Sequence, residues 1–211
     1  MTPKEIYQKL QQKFGEDVLE FNGEALDPYI KINPKRTYEI AKFLKEEPDL
    51  DLSSLMCLSG MDYGADTDLG VVYNLHSMKH KHKITIRVDL PRDNPRISSV
   101  ETIWRTADWH EREAYDLVGI HFEGHHDLRR ILCPDDWEGY PLRKDYVVQE
   151  YYHGIRVPYQ EDWGKYETFE RNPERGHFVF KFESRVPHLV PSDGEDGKQD
   201  TNDKDDKKPK E

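Results

Sequence analysis

Ten histidines, two cysteines and 42 acidic residues give this chain many groups able to hold a metal or move a proton, so their spacing decides what chemistry is open. The run His110-Glu111-Arg112-Glu113-Ala114 begins like the zinc helix H-E-x-x-H. That motif needs its second imidazole four residues on, one helical turn up the same face, and the position is Ala114. His76, His80 and His82, together with His121, His125 and His126, could supply imidazoles to a zinc ion, which makes a metal-dependent hydrolase one reading of the chain. Lys79, Lys81 and Lys83 interleave with the first group and oppose a bound cation. Cys57 and Cys133 form no C-x-x-C and fall short of the four ligands an iron–sulfur cluster typically needs. They indicate a reducing compartment rather than a disulfide framework. No P-loop, G-x-G-x-x-G or G-x-S-x-G is present, so phosphate cradles and nucleophile elbows have no support. Glu111 and Glu113 stand roughly 200° apart on a helix of 3.6 residues per turn and cannot serve one substrate as an acid–base pair.

The elements that position these groups are densest between Trp109 and Tyr146. A helix is expected from Trp109 to Val118, with Asp108 as N-cap, Glu111 as its capping-box partner and Gly119 just past the end. Arg112 and Asp116 are spaced to pair along it at i,i+4. Ile120, His121 and Phe122 then read as extended, Gly124 as a turn, and Asp127 as the cap of a further helical turn from Leu128 to Leu132 that Pro134 ends. Arg129 and Arg130 offer planar forks that suit carboxylates. Charges interleaved with Trp109, Tyr115, Phe122, Trp137 and Tyr140 fit a rigid network or a protein contact.

The ordered strings EREAYDLVGI, FEGH, DLRRIL, PDDWEG and PLRKDY within this stretch resemble the signature of the 30 kDa subunit family of respiratory complex I, the proton-pumping NADH:quinone oxidoreductase. The signature positions are Glu111, Arg112, Glu113, Asp116, Gly119, Gly124, His125, Arg129, Arg130, Pro134, Asp135, Trp137, Gly139, Pro141, Arg143, Lys144, Asp145 and Tyr146. His126 stands where the family usually has proline. The resemblance implies a non-catalytic chain without cofactor, docked on the large, hydrogenase-like quinone-site subunit and its peripheral-arm neighbours at the cytoplasmic side of the cell inner membrane. The FMN, iron–sulfur clusters and quinone that carry electrons from NADH would then belong to other subunits. The equivalent subunit of a membrane-bound hydrogenase, or of a complex fed by another donor, fits the same resemblance.

The rest of the chain reads as scaffold and arm. A formal charge of −11 over 211 residues argues against a nucleic-acid or anionic-membrane surface. No signal core or membrane span is apparent, so membrane association would come only through the complex. Thr2, Pro3 and Glu5 read as N-cap, N1 and N3 of a helix with Ile6, Leu10 and Phe14 on one stripe and Gly15 closing it. A hairpin turns at Asn22-Gly23, the favoured type I′ pair. Asn33-Pro34 starts a second helix that buries Tyr38, Ala41, Phe43 and Leu44. The run from Leu50 to Tyr63 is undecided between strand and helix. Gly70–Met78 and Ile84–Leu90 alternate as a hairpin, and Ser98 with Glu101 forms a capping box before a short helix through Trp104. These elements predict an α+β, two-layer domain with helices on a mixed, mainly antiparallel sheet, followed by an extended irregular C-terminal arm. Its expected parts are residues 1–106, the α+β domain; 107–146, the signature helix and loop completing it; 147–191, an aromatic partner-wrapping arm; and 192–211, a disordered tail of acids and lysines.

Overall fold

The computed structural model describes residues 1–65 and 67–156, with the two short strands beyond them given by backbone alone. The first helix, α1 (Pro3–Phe14), starts as its sequence dictates: Thr2 and Glu5 close a reciprocal capping box, and Pro3 lies in the first turn. Its stripe buries Ile6 and Leu10. Strands β1 (Val18–Asn22) and β2 (Tyr29–Ile32) pair antiparallel. Their connection is longer than the two-residue turn expected, because Asn22 Oδ1 accepts from the backbone of both Glu24 and Ala25 and wraps the chain around its own side chain. Asn33 caps a single 3-10 turn at Pro34–Arg36 before α2 (Thr37–Glu46) begins. That turn rotates the buried face onto Thr37, Ile40, Ala41 and Leu44 and leaves Tyr38 at the surface, where burial had been expected.

The undecided run is strand β3 (Ser54–Asp62), and β4 (Leu69–His76) with β5 (Lys83–Leu90) forms the expected hairpin. The sheet order is β1-β2-β5-β4-β3. Only the β2–β5 pairing is parallel, so the sheet is mixed and mainly antiparallel, and the fold is α+β. Strict alternation on β5 sends Ile84, Ile86, Val88 and Leu90 to the core and Thr85, Arg87 and Asp89 to the other face. On that outer face Arg87 and Lys31 hold Asp89 at 2.9 and 2.6 Å. The helices lie on the apolar face, and residues from all three join one core.

Strand β6 (Arg96–Ser98) pairs in parallel with β7 (His121–Glu123), and α3 (Ala107–Val118) connects them. The Ser98–Glu101 capping box does not form. Ser98 is in the strand, and Glu101 turns instead to His126. Beyond the loop, β8 (Tyr151–Tyr152) and β9 (Ile155–Arg156) make a tight hairpin through His153 and Gly154, both at positive φ. Tyr152 and His153 reach back to Asp136 at 2.8 and 2.7 Å. Strands β10 (Glu170–Arg171) and β11 (Phe178–Val179) pair in a separate unit. The tail from Ser192 and most of the expected arm lie outside the described residues.

Candidate functional site

Helix α3 begins two residues earlier than its sequence suggested, and this changes what its acids do. Thr106 occupies the N-cap without a side-chain capping bond, its hydroxyl donating to Leu55 O instead, and Asp108 lies inside the first turn. Glu111, freed from the expected capping role, is fully buried. Its carboxylate accepts from Ser99 Oγ at 2.6 Å and Val100 N at 2.7 Å, tying α3 to the chain after β6. Burial pushes its pKa up to about 7; the two hydrogen bonds oppose that rise, and nearby Glu101 and Asp108 add to it. Against the sheet, α3 packs where β3 has no side chain: a Cβ at Gly60 would stand 3.1 Å from Ala114 Cβ.

Asp116, one turn on and fully buried, organises the loop. Its Oδ2 accepts from the backbone of Ile131, Leu132 and Cys133 at 3.0, 2.6 and 2.9 Å, and Oδ1 takes Arg130 Nη1 at 3.2 Å. The helical turn expected over Leu128–Leu132 is therefore absent. The three amides that such a turn would bond to its own carbonyls converge instead on one carboxylate. Burial alone would raise the Asp116 pKa, but the three amides outweigh it and the pKa lies below the ordinary value. The expected Arg112–Asp116 pair is replaced by Arg130–Asp116, because the nest points Asp116 at the loop rather than along the helix.

The loop repays the helix at its other end. Leu142 N donates to Leu117 O at 3.0 Å and Arg143 Nε to Val118 O at 2.7 Å, satisfying carbonyls the helix leaves open. Gly119 is left-handed at φ 79°, and a Cβ there would sit 2.6 Å from the Tyr140 ring, which Arg130 and Arg143 flank. Gly119→Ala should therefore cost at least about 1–2 kcal/mol from backbone conformation, with displacement of Tyr140 on top. Urea unfolding of the two chains measures it, and equal midpoints would disprove the role of Gly119. The end of the signature is anchored too: Asp62 accepts from Lys144 N at 2.8 Å and from Arg92, which also binds Asp145 at 3.2 Å.

The signature residues thus differ in how the fold uses them. Glu111, Asp116, Arg130 and Arg143 are engaged inside the chain. Glu113, Pro134, Asp135 and Arg129 lie at the surface, with Arg129 Nε on Asp127 at 3.0 Å. Gly124 and Gly139 take positive φ at turns, Trp137 donates to the Tyr146 hydroxyl at 3.1 Å, and half-buried Pro141 precedes the loop's return to α3. Arg112 alone is both buried and unmatched. Its side chain is 7% exposed, its Nη1 is 4.0 Å from Asp127 Oδ2, and its buried Nε has no partner among the described residues. Asp62, Arg92 and Ser99 were missed by sequence reasoning. They meet the signature only through folding, and no short-range pattern marks them.

Among the described residues, the one group of three or more metal-ligating side chains is Glu101, Asp108, His125 and His126. His76, His80, His82 and His121 are not part of it, so the six-histidine set is not assembled. His125 is not free to serve as a ligand in it. Asp127 N donates to His125 Nδ1 at 3.0 Å, so the ring hydrogen is on Nε2, which donates to Asp108 O at 3.2 Å. No lone pair is left on that nitrogen. His126 Nδ1 meets Glu101 at 2.6 Å as a surface ion pair; the hydrogen bond and charge of Glu101 raise the His126 pKa.

These observations define the class: an α+β domain in which Asp116 of α3 and Asp62 of β3 hold a long charged loop against the helix and the sheet, while buried Glu111 ties the helix to the chain after β6. The chain belongs to the respiratory-chain NADH dehydrogenase 30 kDa subunit family, whose model matches residues 30–152. It is 54% identical over 155 residues to an NADH-quinone oxidoreductase subunit of Chloroherpeton thalassium, covering 72% of this chain and 64% of that one, just under two thirds of its length. The corresponding Chlorobium phaeobacteroides protein is 48% identical over 155 residues, covering 72% of this chain and 93% of the relative. A chain of the archaeal membrane-bound sulfane sulfur reductase shares the fold, at 20% identity and a TM-score of 0.57, covering 83% of this chain and 98% of that one.

Proposed function

We propose that the chain is a cofactor-free structural subunit of the peripheral arm of NADH:quinone oxidoreductase, seated on the large quinone-site subunit at the cytoplasmic side of the cell inner membrane. In that complex electrons pass from NADH through FMN and iron–sulfur centres to quinone, coupled to proton translocation. The observation that carries this reading is the family match, with relatives named as NADH-quinone oxidoreductase subunits. The geometry supports it, because the two fully buried acids of the signature are used structurally, Asp116 in holding the loop and Glu111 in tying α3 to the chain after β6. The interior cavity beside Tyr73 and Trp104, about 10 Å³, has room for one water at most. No described helix is long and apolar enough to cross a membrane, in keeping with a subunit held through others. The chain of the sulfane sulfur reductase shares the fold alone, and the 54% identity to an NADH-quinone oxidoreductase subunit favours the NADH-linked reading over the equivalent subunit of a complex fed by another donor.

Native gels of membranes test the assignment: the chain should migrate with NADH-staining complex, and a chain ending at Pro191 should assemble equally well. Isolated chain should show no visible chromophore. A flavin or cluster spectrum, or zinc retained through dialysis, would restore a catalytic reading. Failure to migrate with any NADH-staining band would remove the subunit assignment.

A further inference from the structure

The mismatch at Arg112 says what the docked partner brings. A buried guanidinium normally has its N–H groups filled and its charge matched by a carboxylate. Here the nearest acid, Asp127, stands 4.0 Å away and is held at 3.0 Å by Arg129 instead. Arg112 is stacked 4.9 Å from the centroid of the Trp109 ring, and that indole is itself 62% exposed, a large apolar surface directly over an unmatched cation. An exposed aromatic beside an arginine is the composition of an interface anchor. We infer that Trp109 and Arg112 form a socket for one acidic side chain of the partner subunit on which this chain docks, an inference that rests on the subunit reading above. A carboxylate accepts from two guanidinium N–H groups at once and supplies the missing counter-charge, which a neutral carbonyl cannot. The indole lid keeps water from the pair once the surfaces close.

Arg130 provides the internal contrast, because it is already matched by Asp116 and Gly139 O within the chain. The two arginines should therefore respond in opposite ways. In full-length chain, Arg112→Met removes a buried charge whose one acid among the described residues, Asp127, stands off at 4.0 Å and is shared with Arg129, and should leave the urea midpoint unchanged or raised, since apolar replacement of a poorly paired buried charge is neutral or stabilising. Arg130→Met should lower it. In cells, Arg112→Met should reduce the NADH-staining complex on native gels at least about tenfold relative to parent at equal chain level, a loss equivalent to about 1.4 kcal/mol. Arg112→Lys, which keeps charge but not the fork, should restore it only in part. Two results would overturn the socket: Arg112→Met destabilising the chain as Arg130→Met does, which makes Arg112 an internal structural cation, or Arg112→Met assembling like parent. If parent chain itself never enters the complex, the subunit reading fails as well, so the two failures are distinguishable.

Discussion

Asp116→Ala should destabilise the chain by about 3–5 kcal/mol, the largest effect expected of any substitution in the signature. The carboxylate is fully buried and serves four donors, the amides of Ile131, Leu132 and Cys133 and the guanidinium of Arg130. Removing it leaves a cation without its acid and three backbone donors without acceptors, and each unfilled buried donor carries a penalty of its own. The loop from Arg130 to Tyr140 should come away from α3, and with it the covering of Gly119. Asp116→Asn should also be costly: its carbonyl oxygen can take the three backbone N–H groups, but its NH2 then faces the Arg130 guanidinium and the counter-charge is gone. Glu113→Ala, three residues away and exposed, should stay within about 0.5 kcal/mol of parent. Urea midpoints of the full chain measure all three. A loss under about 1 kcal/mol for Asp116→Ala would mean the nest does not hold the loop. The sign with pH is fixed as well. The folded-state pKa of Asp116 is depressed, so its contribution is present above the ordinary value of 3.8 and is lost as pH falls through the lower folded value. The gap between parent and Asp116→Ala should therefore narrow on acidification.

Glu111 should behave in the opposite sense. Burial raises its folded-state pKa from 4.5 to about 7, so the folded chain holds this proton more tightly than the unfolded chain. The associated stability is present below 4.5 and is lost as pH rises through about 7, a difference on the order of 3 kcal/mol. Glu111→Gln keeps the shape. Its oxygen can accept from Val100 N while its amide donates to Ser99 Oγ, and the ionisation penalty is gone. Parent minus Glu111→Gln stability should thus fall steadily between about pH 5 and 8, and comparing the two chains cancels what other titrating groups contribute to both. Glu111→Ala should be destabilising throughout, because it leaves Ser99 and Val100 without an acceptor. A parent-to-glutamine difference that does not change with pH would show that Glu111 stays ionised when folded. Such a result would reassign it as a charged clamp between α3 and the chain after β6.

The two acids show why the charged residues of the signature act separately rather than as one rigid network. Glu111 accepts from Ser99 Oγ and Val100 N; Asp116 faces the loop; Arg130 completes the Asp116 nest; Arg112 faces Trp109, with Asp127 no nearer than 4.0 Å. Glu113 and Arg129 lie at the surface. Loss of Arg130 should therefore act on the fold and loss of Arg112 on assembly, although both are arginines of one signature.

What the sequence determined by itself was local or periodic. Thr2, Pro3 and Glu5 set the start of α1 because a capping box closes within one turn, and Ile84 to Leu90 set β5 because strict alternation admits one buried face. Gly119 ended α3, since a left-handed residue is needed there. The α+β class followed from the order of these elements, and the family from the ordered signature strings. Tertiary structure decided the partners of the charges. Asp108 and Glu111 carry the local pattern of an N-cap and capping box, but burying Glu111 against Ser99 and Val100 satisfies donors that the helix start could not reach. Asp127 and Pro134 bracket a plausible helical turn, yet three amides gathered on Asp116, 15 to 17 residues away in sequence, replace its hydrogen bonds at once. Asp62 and Lys144 meet across 82 residues. Capping rules extend over about four residues and periodicity over about a dozen, whereas a buried carboxylate takes whichever donors the packed chain brings to it, so these pairings are fixed only when the core closes.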